Sequence, residues 1–251
     1  MRDAVLAARA ERAKERQLDY MRAIASEWAG DEKSINEGMI QRSKRVRSAL
    51  ERYQSIHPDD HVLEVGSGAT GLIFNFGTSN CIGVDPLADH QRELFPWQRK
   101  SSVPTLAVEG ENLPFPDNKF DVVISENVVD HARNPKKIVS EMVRVLKPGG
   151  LVYFSVNIHH PLYHLASCAY GAWRAMGLPG ELQPFADHTV HLNPARARRL
   201  FDGLAISVLE ESENIEETKR KAAETDPRHV GDRLKRLFYK NAVYKLIARK
   251  M

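Results

Sequence analysis

The feature that most constrains this 251-residue sequence is a series of five short apolar runs that begins at His61. Turn signals separate the runs, and a segment with apolar residues at helical spacing, 135–146, lies between the fourth and the fifth. Such alternation is typical of a parallel sheet with helical connections. With two further runs at 204–209 and 242–249, it predicts an α/β fold with a doubly wound, mostly parallel seven-stranded sheet and helices on both faces. The first five runs lie at 61–65, 81–84, 105–108, 121–125 and 151–156.

The segment before the first run has a different texture, because it is rich in Ala, Arg, Glu and Lys and holds no proline before Pro58. We predict two helices here, the first over 3–28 and the second starting at a capping box, Ser34-Ile-Asn-Glu37. The chain is therefore divided into an N-terminal helical extension or lid, 1–57, and an α/β domain, 58–251. Within that domain, 161–193 is predicted to be a variable cover over the site.

Composition excludes several classes of protein. An apolar fraction of 42% and a charged fraction of 27% are those of a globular chain with one core. The longest apolar stretch, 151–158, is too short to cross a bilayer, and the N-terminus shows no hydrophobic signal region. Two cysteines, Cys81 and Cys168, without metal-ligand spacing favour a reducing cytoplasm and no metal. A net charge of +3 with mixed signs disfavours nucleic acid as a partner.

A glycine pattern, Gly66-Ser-Gly-Ala-Thr-Gly71, directly follows the first run. Glycines at a strand-to-helix turn let the backbone approach a ligand closely, and the following helix offers unpaired N–H groups. Asp85 ends the second run, where a carboxylate can accept hydrogen bonds from both hydroxyls of a ribose. Together these features predict a nucleoside-containing cofactor.

Four segments carry a resemblance to a known family. They read Val-Leu-Glu-Val-Gly-Ser-Gly at 62–68, Gly-Val-Asp at 83–85, Glu-Gly-Glu-Asn-Leu-Pro-Phe-Pro-Asp at 109–117 followed by Phe-Asp-Val-Val-Ile at 120–124, and Arg-Val-Leu-Lys-Pro-Gly-Gly at 144–150. In order and spacing the chain resembles, over roughly 62–209, the small-molecule branch of the class I S-adenosylmethionine-dependent methyltransferases. The resemblance implies S-adenosyl-L-methionine as the cofactor.

The resemblance also implies roles for individual residues. Gly66 and Gly68 would pass close to the methionine and ribose portions, and Glu64 would anchor the glycine loop or the cofactor's amino group. Asp85 would hold the ribose hydroxyls. Glu109 occupies a slot where the family more often has Asp against adenine, so the backbone at Gly110 and Glu111 is the alternative contact. The full implied cofactor set is Glu64, Gly66, Ser67, Gly68, Gly71, Asp85, Pro86, Glu109, Gly110, Glu111, Glu126 and Asn127.

Histidines are the candidate general bases, since a hydroxyl acceptor benefits from proton removal near neutral pH. His131 follows the fourth run, and His159 and His160 follow the fifth. His188 and His191 lie in or beside the predicted cover. All five are expected at the carboxyl ends of the strands, where open α/β sheets bind ligands.

The predicted activity is methyl transfer to a small-molecule or glycan-type acceptor, through O-methylation. Three alternatives stay open: a catalytically inactive methyltransferase-like regulatory or scaffold module, a nucleic-acid methyltransferase supported only by the basic C-terminal third, and an NAD-dependent enzyme. A helix expected at 234–238 carries basic residues suited to peripheral membrane contact, although a surface helix is favoured. The sequence leaves the oligomeric state open.

Overall fold

The computed structural model describes residues 2–162, 190–224, 238–239 and 241–251, with side chains from Lys14 onward. Two N-terminal helices, α1 (Arg2–Glu27) and α2 (Glu32–Glu51), are separated by a turn. The predicted capping box is wrong: α2 begins three residues earlier, after Asp31 instead of after Ser34, so Ser34 and Glu37 lie inside the helix. Gly30 adopts a positive φ of 99°, which ends the first helix and leaves only Asp31 before the next one starts.

Seven strands among the described residues form one sheet: β1 (His61–Val65), β2 (Asn80–Val84), β3 (Thr105–Leu106), β4 (Phe120–Glu126), β5 (Leu146–Ile158), β6 (Ile206–Glu213) and β7 (Ala242–Lys250). Their order in the sheet is β3-β2-β1-β4-β5-β7-β6, which confirms the predicted fold class. The first five strands pair in parallel, and β7 inserts antiparallel between β5 and β6. The strand after Gly203 and the last strand, both expected from short apolar runs, are therefore the antiparallel part of the sheet.

The remaining helices cover the two faces of the sheet. One face packs against α5 (Pro135–Val145) and α6 (Pro194–Arg199), where Met142 of α5 and Phe201, just after α6, are buried among strand residues. The other face packs against α2 and a 3₁₀ turn, through Leu50, Leu72 and Phe76. These helices are α3 (Ala88–Leu94), α4 (Pro96–Lys100), α5 (Pro135–Val145), α6 (Pro194–Arg199) and α7 (Ile215–Glu224), with 3₁₀ turns at Leu72–Asn75 and Val129–His131.

The element after the glycine pattern differs from the prediction. A helix was expected to start there, and the structure has only the 3₁₀ turn Leu72–Asn75. Leu72 and Ile73 are buried, and Gly77 reverses the chain at a positive φ of 84°, which leaves room for a single turn before β2. The loop therefore offers its own backbone N–H groups to a ligand rather than the end of a long helix.

Two predicted features lie mostly outside the described residues. Of the cover at 161–193, only its two ends, 161–162 and 190–193, are described, and of the helix at 234–238 only Phe238 is. His188 and Cys168 also lie outside the described residues. The division of the chain at residue 57 stays a prediction.

Candidate functional site

A cavity of about 240 Å³ opens at the carboxyl ends of β1, β2 and β4. This is the edge at which an open parallel sheet binds ligands. Apolar walls from Val65, Val84, Val108 and Ile138 separate polar ends, which suits the flat apolar rings and polar rims of a nucleoside. The predicted residues that line it are Gly66, Ser67, Gly68, Asp85, Pro86, Glu109, Gly110, Glu111, Glu126, Asn127 and His131.

The glycine loop forms one wall of the cavity. Gly66 has a φ of 77°, and a Cβ at this position would overlap the side chain of Val128. Gly68 has a φ of 56°, and a Cβ there would meet no atom within 4 Å, so its backbone faces open space. Only glycine adopts such conformations freely, and the bare backbone leaves a cradle into which a ligand fits.

Asp85 is fixed beside this loop by two backbone hydrogen bonds. Its Oδ2 accepts from the N–H of Gly68 at 3.1 Å, and its Oδ1 accepts from the N–H of Leu87 at 2.8 Å. Burial raises the pKa of Asp85, and the two backbone hydrogen bonds oppose that rise. Each carboxylate oxygen keeps acceptor capacity for a ligand hydroxyl in the cavity.

Glu64 and Gly71 do not line the cavity. Glu64 is buried beneath the loop, where its Oε2 accepts a hydrogen bond from the N–H of Ile73 at 3.1 Å. A Cβ on Gly71 would lie 2.8 Å from that same oxygen. Burial raises the pKa of Glu64 to about 8. Of the two roles expected for Glu64, the structure supports anchoring of the loop, while Gly71 is required by close packing.

The segment after β3 forms the opposite end of the cavity. Gly110 is buried, and a Cβ there would lie 2.8 Å from Val65 Cγ1. Glu109 is exposed. Glu111 Oε1 accepts from the N–H groups of Arg133 at 3.0 Å and Asn134 at 3.1 Å, so this carboxylate is engaged at the start of α5. Glu111 lines the cavity, and the backbone contact expected of it stays a prediction.

Several polar groups at the cavity were missed by the sequence reasoning. Arg42, on α2, places its Nε 2.8 Å from Glu126 Oε2 and donates hydrogen bonds to the carbonyl and hydroxyl oxygens of Thr70. Lys14 and Gln17, on α1, also line the cavity. The basic residues of α2 alternate with its apolar stripe, a pattern typical of a solvated helix face, so no local signal distinguished Arg42 from its neighbours.

The structure separates the candidate bases. His131 is half-buried and lines the cavity, with its Nε2 4.0 Å from an Oδ2 of the buried Asp130. His159 and His160 do not line it, which corrects the expectation that all these histidines meet at the site. They follow β5, which lies beyond β4 in the sheet, whereas the cavity opens at the ends of β1, β2 and β4.

The two histidines after β5 have structural contacts instead. His159 is buried, its Nδ1 accepts from the N–H of Asn241 at 3.3 Å, and its ring lies 5.1 Å from that of His191. The His160 ring packs edge-on against Phe238 at 4.9 Å. Within the described part of the chain, no three His, Cys, Asp or Glu side chains cluster in a way that could hold a metal ion.

Comparison with known proteins finds a similarity to methyltransferases over part of the chain. Residues 63–154 match the model of a methyltransferase domain family. An uncharacterized methyltransferase of Mycobacterium leprae, MLBr02584, is 34% identical over 99 residues, which cover 39% of this chain and 37% of the relative. The uncharacterized protein MJ1123 of Methanocaldococcus jannaschii is 32% identical over 110 residues, which cover 44% of this chain and 51% of the relative. The chain thus spans about half or less of these relatives.

Solved structures share the fold at low identity. Geranyl diphosphate C-methyltransferase from Streptomyces coelicolor A3(2), solved with Mg²⁺, geranyl diphosphate and S-adenosyl-L-homocysteine, is 15% identical with a TM-score of 0.57, covering 83% of this chain and 79% of that one. A Haloferax volcanii protein described as a methyltransferase, bound to the Trm112 activator, is 18% identical with a TM-score of 0.57, covering 92% and 97%. With the matching segment, these findings show that the chain has the fold of these methyltransferases and is similar to a methyltransferase domain over residues 63–154.

Proposed function

We propose that the chain binds S-adenosylmethionine in the cavity and transfers the methyl group to a hydroxyl of a small-molecule or glycan-type acceptor. One observation carries the proposal: the glycine loop, Asp85 and His131, which are far apart in sequence, line one cavity. The family model supports the reaction class. The proposal of O-methylation depends on His131 as the general base. Because one structural neighbour is a C-methyltransferase, the product must be analysed to identify the methylated atom.

The cavity offers complementary groups to each part of the cofactor. Asp85 would accept hydrogen bonds from the ribose hydroxyls, and the backbone of Gly66 and Gly68 would face the chain that links ribose to the amino acid. The backbone at Gly110 and Glu111 would meet the adenine, with Ile138 against its ring face. The sulfonium of the bound cofactor supplies an electrophilic methyl group and a neutral thioether leaving group.

The protein contributes alignment, exclusion of water and proton removal. Closure of the cavity by α1 and α2 would limit water at the reacting atoms. Nε2 or Nδ1 of His131 would take the proton of the acceptor hydroxyl as the oxygen attacks in line with the bond that breaks. Asp130 lies close enough to stabilise the charge that His131 then carries.

Calorimetric titration with S-adenosylmethionine and S-adenosylhomocysteine tests the cofactor. Asp85→Ala is expected to weaken both by about tenfold or more, because hydrogen bonds to a charged group are lost. Asp89→Ala is the matched control, since Asp89 is an exposed carboxylate on α3. Wild-type protein that binds neither nucleoside would favour the inactive scaffold module.

An acceptor screen that follows release of S-adenosylhomocysteine tests the transfer. His131→Ala is expected to lower turnover by about a hundredfold, in the range typical of a lost general base. His90→Ala, an exposed histidine on α3, is the control. Turnover that persists in His131→Ala but is lost in His160→Ala would place the acceptor at the end of β5 instead. Mass spectrometry of the product identifies the methylated atom.

The cellular compartment and the class of partner are also proposals. We propose a reducing cytoplasm from the two cysteines; Cys81 is a buried free thiol whose pKa is raised by burial. Among the helices described, none is long and apolar enough to span a membrane. Binding of RNA or DNA that falls steeply with salt would overturn the small-molecule acceptor and favour a nucleic-acid methyltransferase.

A further inference from the structure

The glycine loop of the cavity is held from behind by the short helix α4. Trp97 Nε1 donates a hydrogen bond to the carbonyl of Ala69 at 2.8 Å, and Gln98 Nε2 donates one to the carbonyl of Gly68 at 2.7 Å. Neither Trp97 nor Gln98 lines the cavity, so neither is placed to contact a ligand in it. The roles proposed above leave this pair of hydrogen bonds unexplained.

Together with Asp85, these contacts fix three successive peptide groups of the loop. The N–H of Gly68 donates to Asp85 Oδ2 at 3.1 Å, and the carbonyl of Gly68 accepts from Gln98. The next carbonyl, that of Ala69, accepts from Trp97. Because the planar peptide groups on both sides of Gly68 are fixed, its two backbone dihedral angles are fixed as well. A glycine without such contacts would sample many conformations.

Both donors are themselves held in place by packing. The ring of Trp97 lies 5.1 Å from that of Phe95 and 6.0 Å from that of Trp28, which belongs to α1. Gln98 is 6% exposed, and only the NH₂ end of its amide can face a carbonyl oxygen. Two fixed donors therefore hold a loop that would otherwise be among the most flexible parts of the cavity wall.

The amide of Gln98 is a costly group if stability is its only purpose. Among the described residues, its buried Oε1 has no hydrogen-bond partner. A buried polar atom without a partner destabilises the folded state, so an apolar side chain would serve stability better at this position. The hydrogen bond that its NH₂ group donates to Gly68 gives the amide a purpose.

We propose that Trp97 and Gln98 are positioning residues for cofactor binding, because they hold the glycine loop in its cavity-facing conformation before S-adenosylmethionine arrives. The inference rests on the proposed function and extends it to α4, a helix that does not line the cavity. Ordering a flexible loop on binding costs conformational entropy, and a loop that is already ordered avoids this cost. The two side chains thus raise the affinity for the cofactor without contacting it.

Calorimetric titration with S-adenosylmethionine and S-adenosylhomocysteine measures the effect on affinity. Trp97→Phe keeps an aromatic ring in place and removes the N–H donor, and Gln98→Met keeps the length of the side chain and removes the amide. Each variant is expected to weaken the binding of both ligands by about threefold to tenfold, and the double variant by about tenfold to a hundredfold. The loss should be the same for both ligands, because the loop faces a part that they share.

Hydrogen exchange followed by mass spectrometry reports on the loop itself. In the free double variant, the peptide that contains residues 66–71 is expected to exchange about tenfold faster than in the wild type. Saturating S-adenosylhomocysteine should return it close to the wild-type rate, while β1 and β5 stay protected throughout. A purely structural role would instead speed exchange in those core strands as well, or leave the exchange of the free loop unchanged.

Two variants serve as matched controls. Trp28→Phe makes the same change in the same aromatic group, at a tryptophan that packs against the rings of Phe95 and Trp97. It is expected to leave both affinities within about twofold of the wild type, because the ring packing is kept. Gln54→Met makes the other change at an exposed glutamine beyond α2. Urea unfolding of each variant identifies any that fails to fold.

The outcomes are distinct. Unchanged affinities in the double variant, with a lower free energy of unfolding, would mean that the two side chains only stabilise the fold, and the inference falls. A loss confined to S-adenosylmethionine would also overturn it, because S-adenosylhomocysteine presents the same groups to the loop. Wild-type protein that binds neither ligand would refute the proposed function, and the inference with it.

Discussion

The two N-terminal helices, which the sequence groups into one extension, are attached to the fold in different ways. Helix α2 is part of the core: Leu50 is fully buried, and Ser43 Oγ donates to the carbonyl of Leu72 at 2.8 Å. Helix α1 contacts the rest through a separate small cluster in which Met21 and Ile24 pack against Leu87 and Phe95. Each helix nevertheless lines the cavity, α1 with Lys14 and α2 with Arg42. A helix can therefore complete a binding site without being part of the main core.

The largest expected effect is on the free energy of unfolding, when one buried residue of each helix is replaced in turn. Leu50→Ala is expected to lower the free energy of unfolding by about 2–5 kcal/mol, because it opens a cavity in the main core. Met21→Ala removes a side chain of similar size from the small cluster, and we expect α1 to detach locally while global unfolding changes by less than about 1 kcal/mol.

Urea unfolding and limited trypsin digestion test this contrast. Met21→Ala is expected to speed cleavage within α1 without lowering the urea midpoint as Leu50→Ala does. Equal losses of unfolding free energy in the two variants would show that both helices fold with the core.

A second prediction concerns the turn on which α2 rests. Burial raises the pKa of Glu64 to about 8, well above its unfolded value of about 4.3. Between these values the folded state keeps a proton that the unfolded state has lost, so the free energy of unfolding falls as pH rises through this window. The slope for one group reaches about 1.4 kcal/mol per pH unit, and Glu64→Gln is expected to remove it.

Urea unfolding of wild type and Glu64→Gln at pH 5, 6, 7 and 8, values chosen to fall within the window, measures the slope. The glutamine keeps a carbonyl oxygen for the N–H of Ile73 and should fold. Curves that stay parallel over this range would mean that Glu64 is ionised in the native protein.

The smallest expected effect concerns α1 as a wall of the cofactor site. S-adenosylmethionine carries one more positive charge than S-adenosylhomocysteine, and the ammonium of Lys14 opposes it. Lys14→Gln is expected to raise the affinity for S-adenosylmethionine relative to that for S-adenosylhomocysteine by about twofold to threefold. This is the effect of two charges roughly 8 Å apart in a solvated site. The gain should shrink at high salt. Calorimetry at two ionic strengths measures it, and the same ratio in Lys14→Gln and wild type would place α1 away from the bound sulfonium.

Most of the fold was predictable from local patterns. Each strand was expected within a few residues, except that β5 starts earlier and β6 runs on into a polar stretch, where pairing with β7 sustains it. The start of α2 and the 3₁₀ turn after Gly71 were predicted wrongly. In both places a glycine with positive φ, Gly30 or Gly77, turns the chain and so sets where the helix can begin or end, which the capping and helical patterns did not predict.

The sequence by itself determined the strands, the glycine loop and the placement of Asp85, because strand periodicity and glycine conformations are local and the carboxyl ends of parallel strands share one edge. Only the tertiary structure decided which charged side chains meet there. Arg42 and Glu126 are neighbours because α2 packs on the 3₁₀ turn and on the face of the sheet that includes β4. His131 lines the cavity, whereas His159 and His160 follow β5, which lies farther across the sheet. Such contacts join residues far apart in sequence, and no local pattern of charge or hydropathy records them.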